Sequence, residues 1–212
     1  MSTRIEIFNP GPYQTNCYLI SAEGSQACDV IDAGFEAHRM FDRMDSAGLK
    51  PRRLILTHTH VDHIAGVAEF RRRFPGVPVL VHEAEAGFLS APELNLSIAL
   101  GKPISIGEAD TFLHHDDELI LSGEKWRVIH VPGHSPGSIA LYNAKDSVVI
   151  AGDALFAGSI GRTDFPTSDH ETLIESIRER LYVLPDATTV LPGHGPQTTI
   201  GREAVSNPFV RR

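Results

Sequence analysis

Four times along this chain of 212 residues an apolar, strand-like run empties into a turn that carries a side chain able to bind metal. The densest case follows Leu54-Ile55-Leu56, where Thr57-His58-Thr59-His60-Val61-Asp62-His63-Ile64-Ala65-Gly66 holds the potential ligands His58, His60, Asp62 and His63. An apolar run ending in clustered imidazoles reads as a buried strand opening into a loop. His58 and His60, two apart just past the strand end, can point together, while Asp62 and His63 can turn toward a neighbouring point. Imidazole nitrogen with carboxylate oxygen suits zinc, iron or manganese better than calcium or magnesium. The other three cases are His134 in Pro132-Gly133-His134-Ser135-Pro136-Gly137, Asp153 after Ser147–Ile150 in Ala151-Gly152-Asp153-Ala154, and His194 in Leu191-Pro192-Gly193-His194-Gly195-Pro196. Taken singly, the two histidines read equally as polar turn residues and Asp153 as a cap. Rigid scaffolds expose functional groups on such loops, and the repetition makes the set read as metal ligands.

Composition narrows the class. Hydrophobic residues make up 42% and charged residues 22% of the chain, enough for a substantial core in one α/β domain. No apolar stretch reaches membrane-span length, and the start, Met1-Ser2-Thr3-Arg4-Ile5-Glu6, has no signal-peptide core, so a cytoplasmic protein without a membrane partner is expected. A net charge of −8 argues against a nucleic-acid groove, but leaves room for a small anionic substrate held by a local arginine. Cys17 and Cys28 lie in hydrophobic runs with no CxxC, which reads as buried inert thiols in a reducing compartment.

The coarse organisation is two β/α halves. Residues 4–8, 15–21 and 27–32 read as strands, and Glu36–Ala47 as a helix with Met40, Phe41 and Met44 on one face and Gly48 as its stop. Strand 52–57 then delivers the His cluster, a helix is expected over Ile64–Phe74 and a strand over Val77–His82. Arg71-Arg72-Arg73 reads as a solvated helix end. Residues 83–116 are weakly patterned and read as a helix and a long loop over the active face. Strands are expected near 117–121, 125–131, 138–143 and 147–152, then a helix, then a strand at 188–191. Ser168-Asp169-His170-Glu171 reads as a capping box with Ser168 at the cap, ahead of Leu173, Ile174, Ile177 and Leu181 at helical spacing. His170 is then a helix-start residue, and His38, His82, His114, His115 and His130 are structural or surface.

The strings THTHVDHIAG, PGHSPGSI, GDALFAGSIGRTDF and PGHG together resemble the metallo-β-lactamase superfamily, in its glyoxalase II-like branch. The resemblance runs from Thr15-Asn16-Cys17-Tyr18 through Asn207-Pro208-Phe209 and implies a four-layer αββα sandwich as a single domain over 1–212. It also implies that His58, His60 and His134 hold one divalent metal, that Asp62, His63 and His194 hold a second, and that Asp153 bridges them. Zinc is the expected metal, with iron or manganese as alternatives, and Asp62 and Asp153 are the candidate catalytic carboxylates. Two ions about 3.5–4 Å apart share a water and bring its pKa toward neutrality, giving a bridging hydroxide, and one ion stabilises the oxyanion formed on an attacked carbonyl. A thiolate leaves readily because a thiol's pKa is only about 8.5. With no Gly-x-Ser-x-Gly elbow and no cysteine nucleophile evident, covalent catalysis is disfavoured and hydrolysis by metal-bound hydroxide is the economical reading. The glyoxalase II resemblance implies a thioester such as S-D-lactoylglutathione as the substrate.

The β-lactamase branches generally lack the bridging aspartate, and the superfamily's nucleases carry long extra domains and basic surfaces. Lactonases share the ligands. In glyoxalase II enzymes a basic residue that contacts glutathione stands where Arg162 stands, so Arg162 is a candidate substrate contact, against the alternative of pairing with Asp164. Arg211, in the terminal Asn207-Pro208-Phe209-Val210-Arg211-Arg212, is a second candidate. Two departures from the resemblance stand out: only 18 residues of this sequence follow His194, so a form without the family's helical glutathione-binding domain is expected, and Asp164 stands where the family has a tyrosine. The runner-up is a mononuclear iron glutathione-persulfide dioxygenase, which shares His134-Ser135-Pro136-Gly137 and the GRTDF string; the loop around His194 fits the hydrolase better. A monomer or small homo-oligomer is expected.

Overall fold

Strand β1 (Thr3–Phe8) pairs antiparallel with β2 (Cys17–Ala22), and β2 with β3 (Ala27–Ile31). From there the sheet continues in parallel through β4 (Lys50–Ile55), β5 (Val79–His82) and β6 (Thr111–Leu113). The computed structural model describes residues 3–212; Met1 and Ser2, part of the start read as lacking a signal-peptide core, lie outside them. The chain divides into two compact units, this sheet belonging to the first, which runs to Leu113 and adds 120–124.

Helix α1 (His38–Ser46) connects β3 to β4 and buries Met40, Phe41 and Met44, the face expected from their spacing. It stops where Gly48 takes φ +65°, a left-handed value that costs a residue without a Cβ little. Those three side chains pack with Cys17, Leu19, Val30, Leu54, Val79 and Phe70. Each fully buried Leu, Met or Phe stabilises the unit by about 1.5–3 kcal/mol. Cys17 and Cys28 are free and buried, as expected.

The helix expected over Ile64–Phe74 is two helices, α2 (Val61–Ile64) and α3 (Val67–Arg73). Gly66 interrupts them because its N–H leaves the helical ladder for the Ala33 carbonyl at 2.7 Å. A Cβ there would stand 2.7 Å from the Ala37 Cβ, so the close approach requires glycine. Of the Arg71–Arg73 helix end, Arg72 is exposed as expected, while Arg71 and Arg73 are half-buried and paired. Arg73 pairs with Asp42 and Asp45 at 2.6 Å, and Arg71 donates to the carbonyls of Ile106 and Glu108. Residues 83–116 contain no α-helix. Three 3₁₀ turns (Glu83–Glu85, Phe88–Ser90 and Ser97–Leu100) and then β6 replace it. Pro92, Pro103 and the left-handed Leu96 and Gly101 interrupt any helical run.

In the second sheet the order is β14-β13-β10-β9-β8-β7, built from β7 (Glu118–Leu121), β8 (Glu124–His130), β9 (Ile139–Asn143), β10 (Val148–Gly152), β13 (Thr189–Pro192) and β14 (Thr198–Thr199). A small hairpin, β11 (Leu155–Phe156) with β12 (Ser159–Ile160), follows β10. Helix α4 (His170–Ser176) runs on into a π-helical turn, Ile177–Leu181, and α5 (Ile200–Ser206) follows β14. Leu173, Ile177 and Leu181 pack with Ile129, Val131, Val149, Ile200 and Ala204. The capping box is corrected. Asp169 caps α4 by accepting from the Thr172 N–H at 2.7 Å, which holds its carboxyl below the usual range, and Ser168 donates instead to the His134 carbonyl at 2.6 Å. His170 begins the helix, as expected.

Candidate metal centre

In the first unit the donors stand beyond the carboxyl end of β4, the usual ligand-binding edge of a parallel sheet. The neighbouring strand β3 ends beside it, and Asp32, the next residue, donates its N–H to the Ile55 carbonyl at 2.9 Å. This brings the Asp32 carboxylate under the ligand segment. It accepts from Thr57 N at 2.7 Å, from Thr57 Oγ1 at 2.8 Å and from His63 Nδ1 at 2.8 Å. The Thr57 hydroxyl, having given its proton to Asp32, accepts from His58 Nδ1 at 3.2 Å. Two imidazoles are thereby held as Nδ1–H tautomers, leaving Nε2 as the atom each would offer a metal, the orientation that carboxylate partners impose on ligating histidines.

The rings gather closely. His58 lies 4.7 Å from His60 and 4.1 Å from His63, centre to centre, and all three are buried. Asp62 and His63 sit in α2 rather than in a loop, and Asp62 Oδ2 is 3.7 Å from His63 Nε2. Thr15 donates to the same Asp62 oxygen at 3.2 Å.

In the second unit β10 and β13 run parallel with Gly152 opposite Pro192, so the residues that follow, Asp153 and His194, emerge side by side. Gly193 N–H donates to the Gly152 carbonyl at 2.7 Å and locks the two exits together. One oxygen, Asp153 Oδ2, lies 3.5 Å from His194 Nε2 and 3.7 Å from His134 Nε2. His134 is oriented as His63 is. Its Nδ1 donates to the Arg162 carbonyl at 2.8 Å, turning Nε2 toward Asp153. Gly161 permits this, because a Cβ there would stand 1.9 Å from the Asp153 carbonyl oxygen and 2.9 Å from His134 Nδ1.

The donor set fits a borderline divalent ion: imidazoles with Nδ1 engaged by carboxylate, hydroxyl or carbonyl, plus two carboxylates. Groups of His and Asp that could hold a metal are present among the described residues. Neither thiol competes. Cys17 accepts from the Gly34 N–H at 3.3 Å, and burial pushes its thiol up to about 12, as it does that of Cys28.

Arg162 is half of a bidentate pair with Asp164 at 2.9 and 2.8 Å and lies 4.6 Å over the Phe165 ring. This pairing is the alternative reading of Arg162, and its backbone carbonyl is what meets His134 Nδ1. Arg211 donates to the Asn207 carbonyl at 3.3 Å. His114 and His115 pair with Asp117 and Asp116, His130 Nε2 meets the Pro136 carbonyl at 2.8 Å, and His82 caps a 3₁₀ turn. Asp32 escaped sequence reading, although it follows the strand-like Ala27–Ile31 and precedes Ala33-Gly34, the same strand-then-glycine pattern that marks the ligands.

A family model described as the metallo-beta-lactamase superfamily matches residues 10–194. Among curated relatives, the probable metallo-hydrolase YqgX of Bacillus subtilis is 39% identical over 94% of both chains. The hydroxyacylglutathione hydrolase GloC of Haemophilus influenzae is 39% identical over 97% of both. Similar solved structures include the BLEG-1 B3 metallo-beta-lactamase, with a TM-score of 0.92 and 39% identity over 98% of this chain and 99% of that one. TTHA1623, solved in a di-iron-bound form, gives a TM-score of 0.85 and 37% identity over 97% of this chain and 100% of that one. ETHE1 from Myxococcus xanthus gives 0.80 and 27% identity over 98% of this chain and 84% of that one. With residues 10–194 matched by the family model, most of its length matched in sequence and in fold, and sheets flanked by helices, the chain belongs to the metallo-β-lactamase superfamily of metallo-hydrolases.

Proposed function

We propose that this protein is a binuclear thioester hydrolase of the glyoxalase II type, cleaving a glutathione thioester such as S-D-lactoylglutathione to a hydroxy acid and free glutathione. The observation that supports the reading is the single carboxylate oxygen of Asp153 at 3.7 Å from His134 Nε2 and 3.5 Å from His194 Nε2, a position from which it could be shared between two ions. The proposal assigns His58, His60 and His134 to one ion, Asp62, His63 and His194 to the other, and Asp153 to both. Identity to GloC over nearly the whole chain supports the substrate class, and the di-iron form of TTHA1623 supports two ions. When bound, such ions would supply a nucleophilic oxygen from water near neutral pH and polarise the thioester carbonyl.

The chain's own residues provide position and charge. Asp32 and the Arg162 carbonyl fix the tautomers and ring planes of His63 and His134, so little reorganisation is left for the reaction itself. Asp62, steadied by Thr15, and Asp153 bring two negative charges that offset the cations. Arg162 and Arg211 are proposed as contacts for a substrate carboxylate. The Arg162–Asp164 pair is exposed, and such pairs are weak enough for an incoming carboxylate to displace Asp164.

Metal content per chain, measured alongside thiol release from S-D-lactoylglutathione, tests the proposal. About two metals per chain with thiol release abolished by EDTA is the expected result. One iron with oxygen uptake on glutathione persulfide and no thioester cleavage would make the protein a dioxygenase. Hydrolysis of a chromogenic β-lactam without thiol release would place its activity with that named for BLEG-1.

A further inference from the structure

The ligand segment alternates threonine with histidine, and each threonine has its own buried carboxylate. The His58 and His60 rings lie 4.7 Å apart, and the hydroxyls of Thr57 and Thr59 each reach a buried carboxylate. Thr57 is held by Asp32, which follows β3 on one flank of β4. Thr59 Oγ1 donates to Glu85 Oε2 at 2.6 Å, and Glu85 follows β5 on the other flank. Both Thr59 and Glu85 are buried. The distance falls in the range of a charge-assisted O–H···O⁻ bond, about 2.5–2.7 Å.

A second tie runs from the same segment. The Asn95 carbonyl accepts the Val61 N–H at 2.8 Å, one of the open donors at the start of α2. Asn95 is itself fixed. Its amide donates to the carbonyls of Phe88 and Ile104 at 3.0 Å, and its Oδ1 accepts from Ser97 N at 3.0 Å. Ser97 Oγ accepts from Ile104 N at 2.8 Å, closing the loop on itself. A stretch without α-helix thus has a buried polar frame that ends on the residues flanking His60.

We infer that Glu85 and Asn95 are positioning residues of the metal centre: residues 83–106 clamp the segment His58–Asp62 in its ligating conformation, Glu85 through the Thr59 hydroxyl and Asn95 through the Val61 amide. The inference rests on the proposed ligand role of His58 and His60. Neither Glu85 nor Asn95 is assigned as a ligand. Together with Asp32 they grip the segment from both flanking strands, which explains why a loop that carries no ligand is so thoroughly tied internally.

The test compares wild type with Glu85→Ala, Glu85→Gln, Thr59→Val, Thr59→Ser and the E85A/T59V double variant. Metal release to a chromogenic chelator is followed by stopped flow, and the visible spectrum of the cobalt(II)-substituted protein is recorded. Loss of a residue that orients metal ligands typically costs about 10–100-fold in metal affinity. E85A and T59V should each speed release by about that factor and shift the cobalt bands. The double variant should be no worse than either alone, and T59S should restore wild-type behaviour. Release rates within twofold of wild type, or effects that multiply in the double variant, would overturn the clamp. Should E85A fail to fold, T59V against T59S carries the same comparison. His58→Ala serves as the control: if it keeps its full metal complement, the ligand assignment itself fails, and that outcome is distinct from failure of the clamp.

Discussion

At the scale of single residues, the orientation of the candidate metal donors is governed by what holds their far sides. His63 and His134 each give Nδ1–H to a fixed acceptor at 2.8 Å, so the tautomer is set before any metal arrives. Gly161 shows how little room that leaves. Replacing it with alanine drives a methyl group into the Asp153 carbonyl and the His134 ring, displacing a proposed bridging ligand and a proposed terminal one together. Gly161→Ala is expected to lower metal affinity by about tenfold or more, read by competition with a chelator. An unchanged affinity would mean that the 161–165 turn yields without moving either donor. The motifs around these candidate ligands were legible in the sequence because short spacing carries them. Asp32 and Glu85 were not, because a lone acidic residue after a strand looks like any cap until its partner is known.

At the scale of elements, α1 was readable from Met40, Phe41 and Met44, since helical spacing alone predicts a buried face. Phe41 sits against Phe70 and Phe74, with ring centres 5.8 Å apart in both cases. Phe41→Ala is expected to cost about 3–5 kcal/mol in urea denaturation. A loss below about 1 kcal/mol would show that the neighbouring rings close over the gap. The break between α2 and α3 was not readable, because Gly66 yields to a tertiary demand, contact with Ala33 and Ala37, and not to a local propensity. The cap of α4 moved from Ser168 to Asp169 for the same kind of reason. Ser168 is drawn to the His134 carbonyl, leaving the neighbouring carboxylate to satisfy the helix.

At the scale of the whole molecule, the two buried thiols make stability depend on alkaline pH. Cys17 and Cys28 both rise from 9.0 to about 12, chiefly through desolvation. Below pH 9 folded and unfolded chains hold both protons, so their contribution is fully present. Between about 9 and 12 the unfolded chain releases them first, and stability falls as pH rises. The urea midpoint should therefore drop between pH 9 and 11, and drop less in the C17A/C28A variant; equal slopes would refute the assignment. Among the described residues no helix is long and apolar enough to cross a membrane.

By itself the sequence determined the family, much of the strand-and-turn punctuation and the candidate metal-binding side chains, because each rests on residues adjacent in the chain. Only the tertiary structure decided what those side chains lean on. Parallel pairing of β3, β4 and β5 delivers Asp32 and Glu85 to either flank of the ligand segment, and parallel pairing of β10 with β13 delivers Asp153 beside His194. Such partners lie 25 to 41 positions apart, and strand register sets which of them meet, a relation that no local spacing contains.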